Sequence, residues 1–282
     1  MLSCIILNYN DSESVITLYK KIKDYKIIDL FVLVDNRSTD NSFEELQKLE
    51  DSKTKVVLSD KNGGYGYGNN IGLRYSQQVG ANYAIVCNPD TEFSEQAIIN
   101  SLELFKTNTK CAAVSPKVNC GEIAYKFASP FLEVCYSNLL LNKILKPRSY
   151  PKSFFENKQD VIVDVIPGSF TIFDVEKFMK CGLYDEEVFL YHEEIIVGKK
   201  IRNAGYVQMI NLSDEYIHRH HISVKKSFKS DVKLKRIVLN SQKLYLKKYC
   251  KASKWILLLH DLLRPINYAE MAIWAKIKVI WK

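Results

Sequence analysis

In the first 120 residues, apolar positions come in short unbroken runs, and the polar stretches between them carry helical spacing. The runs Ser3–Leu7, Leu30–Val34, Lys55–Leu58, Tyr83–Cys87 and Ala112–Val114 are rich in β-branched side chains and too short for helices, which predicts buried strands. Between them, Val15, Leu18, Tyr19 and Ile22 follow Asp11-Ser12, and Phe43, Leu46 and Leu49 follow a Ser42-x-x-Glu45 capping box. Ser94 stands as an N-cap ahead of Ala97 to Phe105. Strands alternating with helices of this length need right-handed crossovers, so the expectation is an α/β fold: a Rossmann-like, mostly parallel sheet flanked by helices. Residues 120 to 160 interrupt the rhythm with Pro130, Pro147 and Pro151 and read as a surface excursion, an acceptor-side loop. A further strand leads to Pro167-Gly168-Ser169-Phe170.

Composition narrows the class. With 282 residues, 47% of them hydrophobic, the chain can bury a full core. Leu2–Leu7 is too short and lacks the basic flank of a secretory signal, and no run approaches the roughly 18 uncharged residues of a membrane span, so a cytoplasmic location is expected. Seven cysteines without a C-x-x-C spacing argue against both a disulfide framework and a zinc cluster.

The net charge of +8 is unevenly placed. From residue 225 onward there are 15 basic and 3 acidic residues, against 25 and 29 before it, which divides a mildly acidic body, 1–224, from a basic tail, 225–282. Within the tail, Trp255, Leu258, Leu259, Leu262 and Leu263, then Ile273, Ile277 and Ile280, recur at helical spacing with lysines between and a break at Pro265. Such a helical extension can lie on an anionic membrane, at the inner face in a cytoplasmic protein; packing on the body or in a homodimer is the competing expectation. The apolar stripe and the lack of a reading motif argue against nucleic acid.

Chemistry concentrates where strands end. Asn88-Pro89-Asp90-Thr91 closes the fourth run, and ligands of open α/β sheets bind at the carboxyl ends of strands, so Asp90 stands where a metal or diphosphate would be held. Asp35, at the tip of the second run, can accept hydrogen bonds from ribose hydroxyls or a base, whereas Asp40 and Ser38 read as caps. Asn62 to Gly72 holds five glycines before the helical-looking Leu73–Ser76, a loop and helix start suited to an anion. It matches neither G-x-G-x-x-G nor a P-loop, which lowers the case for NAD binding or ATP hydrolysis.

A helix starting near His192 would place Glu193 and Glu194 in its first turn, where the dipole favours their charged forms. Adjacent helical residues point about 100° apart, so one of the pair is expected to face a site well. Ile217 to Ser223 holds three of the five histidines, and imidazole can ligate a divalent metal or contact a diphosphate.

Taken in order, Asn8-Tyr9-Asn10, Val34-Asp35-Asn36-x-Ser38-x-Asp40, Asn62 to Gly72, Asn88-Pro89-Asp90, Phe189-Leu190-Tyr191-x-Glu193-Glu194 and Arg202-x-Ala204-Gly205-Tyr206 resemble a family 2 glycosyltransferase of GT-A fold, in its rhamnosyltransferase-like branch. His218 with Ser223 fits the closing His-x-x-x-x-Ser element. The resemblance covers residues 1 to 224 and implies inverting transfer of rhamnose or a similar hexose from a nucleoside-diphosphate sugar to a hydroxyl of a glycan or lipid-linked glycan, in bacterial surface polysaccharide synthesis.

By position, the resemblance makes Asn8, Asn10, Asp35 and Asn69 nucleotide contacts. Asn88 and Asp90 stand in for the family's D-x-D, with Asp90, and His218 beside it, holding Mg²⁺ or Mn²⁺. Glu193 and Glu194 form the catalytic pair, with Glu194 as the base where relatives mostly carry Asp. Ile196, where relatives often have an acid, and Gly198 in a helix depart from the pattern and motivate an alternative: a nucleotide-sugar-binding protein without transferase activity.

Overall fold

The computed structural model describes residues 1–145, 148–219 and 230–280, with side chains through Trp274. Pro147, His220, His221, Ser223, the 224/225 boundary and the side chains of Ile277 and Ile280 lie outside the described residues.

The N-terminal half alternates strand and helix: β1 (Leu2–Asn8), α1 (Ser12–Ile22), β2 (Leu30–Asp35), α2 (Ser42–Gln47), β3 (Thr54–Leu58), α3 (Tyr65–Gln78) and β4 (Tyr83–Cys87). The short β5 (Thr91–Glu92), α4 (Glu95–Thr107) and β6 (Cys111–Val118) follow. Next come α5 (Pro130–Tyr136), α6 (Leu139–Ile144), β7 (Asp160–Val163), β8 (Phe170–Asp174), α7 (Val175–Lys180), α8 (Glu193–Asn203) and β9 (Val207–His218). Two helices end the chain, α9 (Asp231–Leu244) and α10 (Lys254–Ile280).

One sheet runs β3-β2-β1-β4-β8-β6-β9-β5, with β7 also on β9. Its first four strands are mutually parallel, as are β6 and β9, while β8 is inserted antiparallel between β4 and β6. Alternation along β1 feeds both faces: Cys4 and Ile6 join Val15, Leu18, Ile98 and Phe105 on one side, and Ile5 joins Leu73, Phe178 and Val197 on the other. Burial of both faces explains why these strands read as unbroken apolar runs.

Four local expectations are corrected. Helix α3 begins at Tyr65, eight residues before Leu73, so most of the glycines lie inside it; a Cβ on Gly72 would come 2.5 Å from Ile5 Cγ2, and the glycines let the helix press onto β1. Ser42 is the first residue of α2, not its cap, and its hydroxyl is buried without a partner, whereas Asp40 does cap by accepting from the Ser42 amide. The excursion after residue 120 contains two helices, because Pro130 sits at the start of α5 behind the Ser129 cap, where a missing N–H costs nothing. Finally, α10 continues through Pro265. Anchors on both sides hold it: Lys243 pairs with Asp261 at 2.7 Å, and Asn267 bonds Asn138 and Ser137 at 3.1 Å each. Among the described residues, no helix is long and apolar enough to cross a membrane.

Candidate active site

The carboxyl ends of β1, β2 and β4 open into a cleft of about 890 Å³. Asn8, Asn36, Asn88, Asp90, Glu193, Glu194 and His218 all line it. At the tip of β1, Asn8 donates to Asp35 at 2.7 Å and to Ser38 at 3.1 Å, and accepts from the Asp11 amide. Asp35 is fully buried and receives Asn8 together with the Ser38 amide and hydroxyl. Its carboxylate therefore orders the loop after β2 and does not line the cleft.

Asn10 and Asn69 are not on the cleft wall either. Asn10, with φ of 54°, accepts from the Thr39 amide at 2.8 Å. Asn69 is buried one turn into α3 and donates to the Tyr65 carbonyl. Asn36 takes a place on the wall that sequence reasoning left blank, donating to Asn62 Oδ1 and the Gly64 carbonyl at 3.1 and 3.0 Å. Its sequence signals were its position one residue past a strand tip and its place in the Val34-Asp35-Asn36-x-Ser38-x-Asp40 motif.

Asp90 and His218, 128 positions apart in sequence, meet through the sheet. The two residues of β5 pair antiparallel with the end of β9, placing Thr91 opposite His218, and the Arg219 amide donates to the Asp90 carbonyl at 3.0 Å. His218 Nε2 lies 3.3 Å from Asp90 Oδ1, and that buried oxygen accepts no aligned hydrogen bond among the described residues. A buried carboxylate oxygen beside an imidazole nitrogen is a donor set that suits Mg²⁺ or Mn²⁺. No three such side chains converge among the described residues.

Glu193 and Glu194 open α8, as the acidic turn predicted, but both line the cleft rather than one. The approach is unusual: Tyr191 and His192 both adopt left-handed backbone, at φ of 67° and 69°. Two such non-glycine residues in succession store on the order of 1–3 kcal/mol each. The loop is clamped from two directions, by the Tyr65 amide on the Phe189 carbonyl at 2.9 Å and by the Ser241 hydroxyl on the Leu190 carbonyl at 2.8 Å. Gly64, at φ of 93°, makes the first clamp possible, since a Cβ there would come 2.1 Å from the Phe189 oxygen.

The departures at Ile196 and Gly198 have a structural account. Ile196 is fully buried against Tyr245, Val188 and Val165. A Cβ on Gly198 would stand 2.4 Å from the Asp164 carbonyl, so the glycine lets α8 pass close to the end of β7, and the helix is unbroken to Asn203.

The paired carboxylates differ electrostatically. Burial first, and then the charge of Glu194, push Glu193 up to about 8. Burial also raises Glu194, but the Arg148 guanidinium opposes that rise. Arg148 is itself held by the fully buried Glu133 at 3.1 Å.

The cleft has further walls, one from the excursion and others that the sequence pattern did not announce. Tyr125 lines it from the excursion, and Asp231, Leu234, Met271 and Trp274 reach it from the C-terminal helices. The packing of α9 against α10, and of α10 against α5, brings those four there.

The strand-end cleft, its acid–histidine couple and its helix-borne glutamate pair sit on a mixed α/β fold with a mostly parallel sheet, the architecture of the GT-A glycosyltransferases. The chain belongs to glycosyl transferase family 2, whose family model matches residues 3–181. Glu193, Glu194 and His218 lie beyond the matched segment. The low-salt glycan biosynthesis hexosyltransferase Agl10 of Haloferax volcanii is 30% identical over 215 residues, 74% of this chain and 66% of that protein, so the chain spans just under two thirds of its relative's length.

Three solved structures share the fold. GalNAc-T7 with UDP, GalNAc and Mn²⁺ superposes with a TM-score of 0.64 at 14% identity, over 88% of this chain and 47% of that one. The mannosyltransferase PcManGT of Pyrobaculum calidifontis, in complex with GDP-Man and Mn²⁺, gives 0.59 at 15% identity, over 96% of this chain and 73% of that one. S. aureus TarS 1-349 in complex with UDP-GlcNAc gives 0.55 at 14% identity, over 86% and 66%.

Proposed function

We propose that this protein is an inverting hexosyltransferase that moves a sugar, rhamnose or a similar hexose, from a nucleoside-diphosphate donor to a hydroxyl of a glycan carried on a lipid, during bacterial surface polysaccharide synthesis at the inner membrane face. The observation that carries this reading is that one cleft is lined by both the Asp90–His218 couple and the Glu193–Glu194 pair. The hexosyltransferase name of the Haloferax relative, and the nucleotide sugars and Mn²⁺ of the structural neighbours, support it.

Glu194 accepts the proton of the acceptor hydroxyl as its oxygen forms a bond to the anomeric carbon from the face opposite the leaving group. The bond from that carbon to the diphosphate breaks, and its electron pair leaves on the nucleoside diphosphate. Glu193, raised by burial and by the charge of Glu194, is the member better suited to donate a hydrogen bond within the cleft. Asp90 and His218 would hold Mg²⁺ or Mn²⁺, which when bound neutralises charge growing on the diphosphate.

Glu194→Gln tests the assignment. Transfer, followed as release of nucleoside diphosphate in the presence of acceptor, should fall about 10²- to 10⁴-fold with donor binding little changed. Turnover near the wild-type rate would remove Glu194 from the base role. Release of nucleoside diphosphate by the wild type in Mn²⁺, abolished by chelator, separates an enzyme from a binding protein without transferase activity.

A further inference from the structure

Glycine is used where the fold demands it, with one exception. Of the eleven glycines, five have left-handed φ, and another five would put a Cβ at 2.3–2.8 Å from a neighbouring atom, so a side chain at any of these ten is strained. Gly168 belongs to neither set. Its φ lies outside the left-handed region, and a Cβ there would meet only Glu194 among the described residues, at 3.8 Å from Cβ and 3.9 Å from Oε2. Those are ordinary van der Waals distances. Glycine loses more backbone freedom on folding than any other residue, and no backbone or packing feature of the fold requires it at this position.

What faces Gly168 is the cleft, which it lines between the two chemical ends. On one side, the Ser169 carbonyl accepts the Asn88 amide at 2.8 Å, in the segment that carries Asp90. On the other stands the Glu194 carboxylate. The turn is held in place by further bonds: the Tyr65 hydroxyl donates to the Gly168 carbonyl at 2.7 Å, and the hydroxyls of Ser169 and Tyr216 bond at 2.7 Å. A turn fixed by these three bonds cannot retreat from an added methyl, so the methyl would take its volume from the cleft.

During transfer the anomeric carbon exchanges its bond to the diphosphate for one to the acceptor oxygen, so the sugar ring must lie between the diphosphate end of the cleft and the group that takes the acceptor proton. The geometry points to the bare Cα of Gly168 as the seat of the transferred hexose. The missing side chain leaves room for the ring where the acceptor oxygen meets it, and residue 168 becomes the position that limits the bulk of the sugar. This rests on reading Glu194 as the base and Asp90 as the diphosphate anchor, and it adds the surface on which the reacting ring sits.

Gly168→Ala tests the seat by titration calorimetry in Mn²⁺, with UDP against UDP-glucose, GDP against GDP-mannose and dTDP against dTDP-rhamnose. For the pair that the wild type binds, the variant should keep its thermal midpoint and hold the bare nucleoside diphosphate within about twofold of the wild type, while its affinity for the sugar nucleotide falls about tenfold. Release of nucleoside diphosphate in the presence of acceptor should fall about 100-fold, because a displaced ring loses alignment as well as contact. Unchanged sugar-nucleotide affinity and turnover in the variant overturn the inference. So does an equal loss of affinity for both members of the pair, or a fall in the thermal midpoint, since either makes Gly168 a structural glycine. A wild type that binds none of these probes overturns the transferase reading and the seat with it, whereas equal transfer by the wild type and the variant removes the seat alone.

Discussion

The two chemical ends of the cleft are held in place by opposite means. At the Asp90 end, a short strand pairs with the tip of β9 and the backbone is fixed by ordinary hydrogen bonds, so the chemistry depends on which side chains stand there. At the Glu194 end, two left-handed residues and two glycine-dependent close approaches set the backbone, so the chemistry depends on where the chain is forced to go. The contrast teaches that mutations at the first end should remove function without unfolding, and mutations at the second should cost stability and function together.

Asp90→Asn gives the largest separation of the two effects. The change keeps shape and removes charge, so transfer should fall about 10²- to 10³-fold while the thermal midpoint moves little. Calorimetry beside a kinetic assay reads both, and a large stability loss would erase the contrast. Gly198→Ala probes the opposite end. Its added Cβ would meet the Asp164 carbonyl at 2.4 Å, and relieving that contact should cost about 1–3 kcal/mol in chemical denaturation and lower kcat more than it alters donor binding.

The smallest effect is electrostatic. Because the folded state raises Glu193 to about 8, the folded protein binds more protons than the unfolded chain between about pH 4.5 and 8, and stability falls as pH rises through that window. Glu193→Gln should flatten that slope and gain on the order of 1 kcal/mol or more at pH 8 relative to pH 5, read from urea midpoints at the two values. The acid limb of kcat/KM should meanwhile sit above the ordinary carboxylate range, because burial raises Glu194. Activity therefore rises with pH as that group ionises.

The strand tips were legible because continuous apolar runs ending in polar residues report burial directly, and Asn8, Asn88 and Asp90 line the cleft accordingly. The start of α3 was not legible. Each glycine in a helix costs about 1 kcal/mol against alanine, so local propensity favours a loop from Asn62 to Gly72, and only the pressure of the helix on Ile5 and Leu7 reverses it. The meeting of Asp90 with His218 depends on a two-residue strand, below what periodicity can register. Asp35 reads from its strand-tip position as a ribose or base contact, while in the structure its carboxylate accepts from Asn8 and Ser38. The C-terminal helices looked like an appendage because amphipathic spacing says that a face is apolar, not which way it turns.

The bond from Ser241 to the Leu190 carbonyl bears on how such a protein can be rearranged. Tyr245, one turn further on, is fully buried against Ile195 and Ile196 of the helix that carries the glutamate pair. The tail is therefore not a cassette. Exchanging it for that of another family member would leave a bare carbonyl in the loop before Glu193 and Glu194 and a hollow behind it, unless the incoming segment supplied a hydroxyl and an aromatic ring at the same two places. Chimaeras joined after β9 should accordingly succeed or fail by those two positions, whatever acceptor each parent prefers.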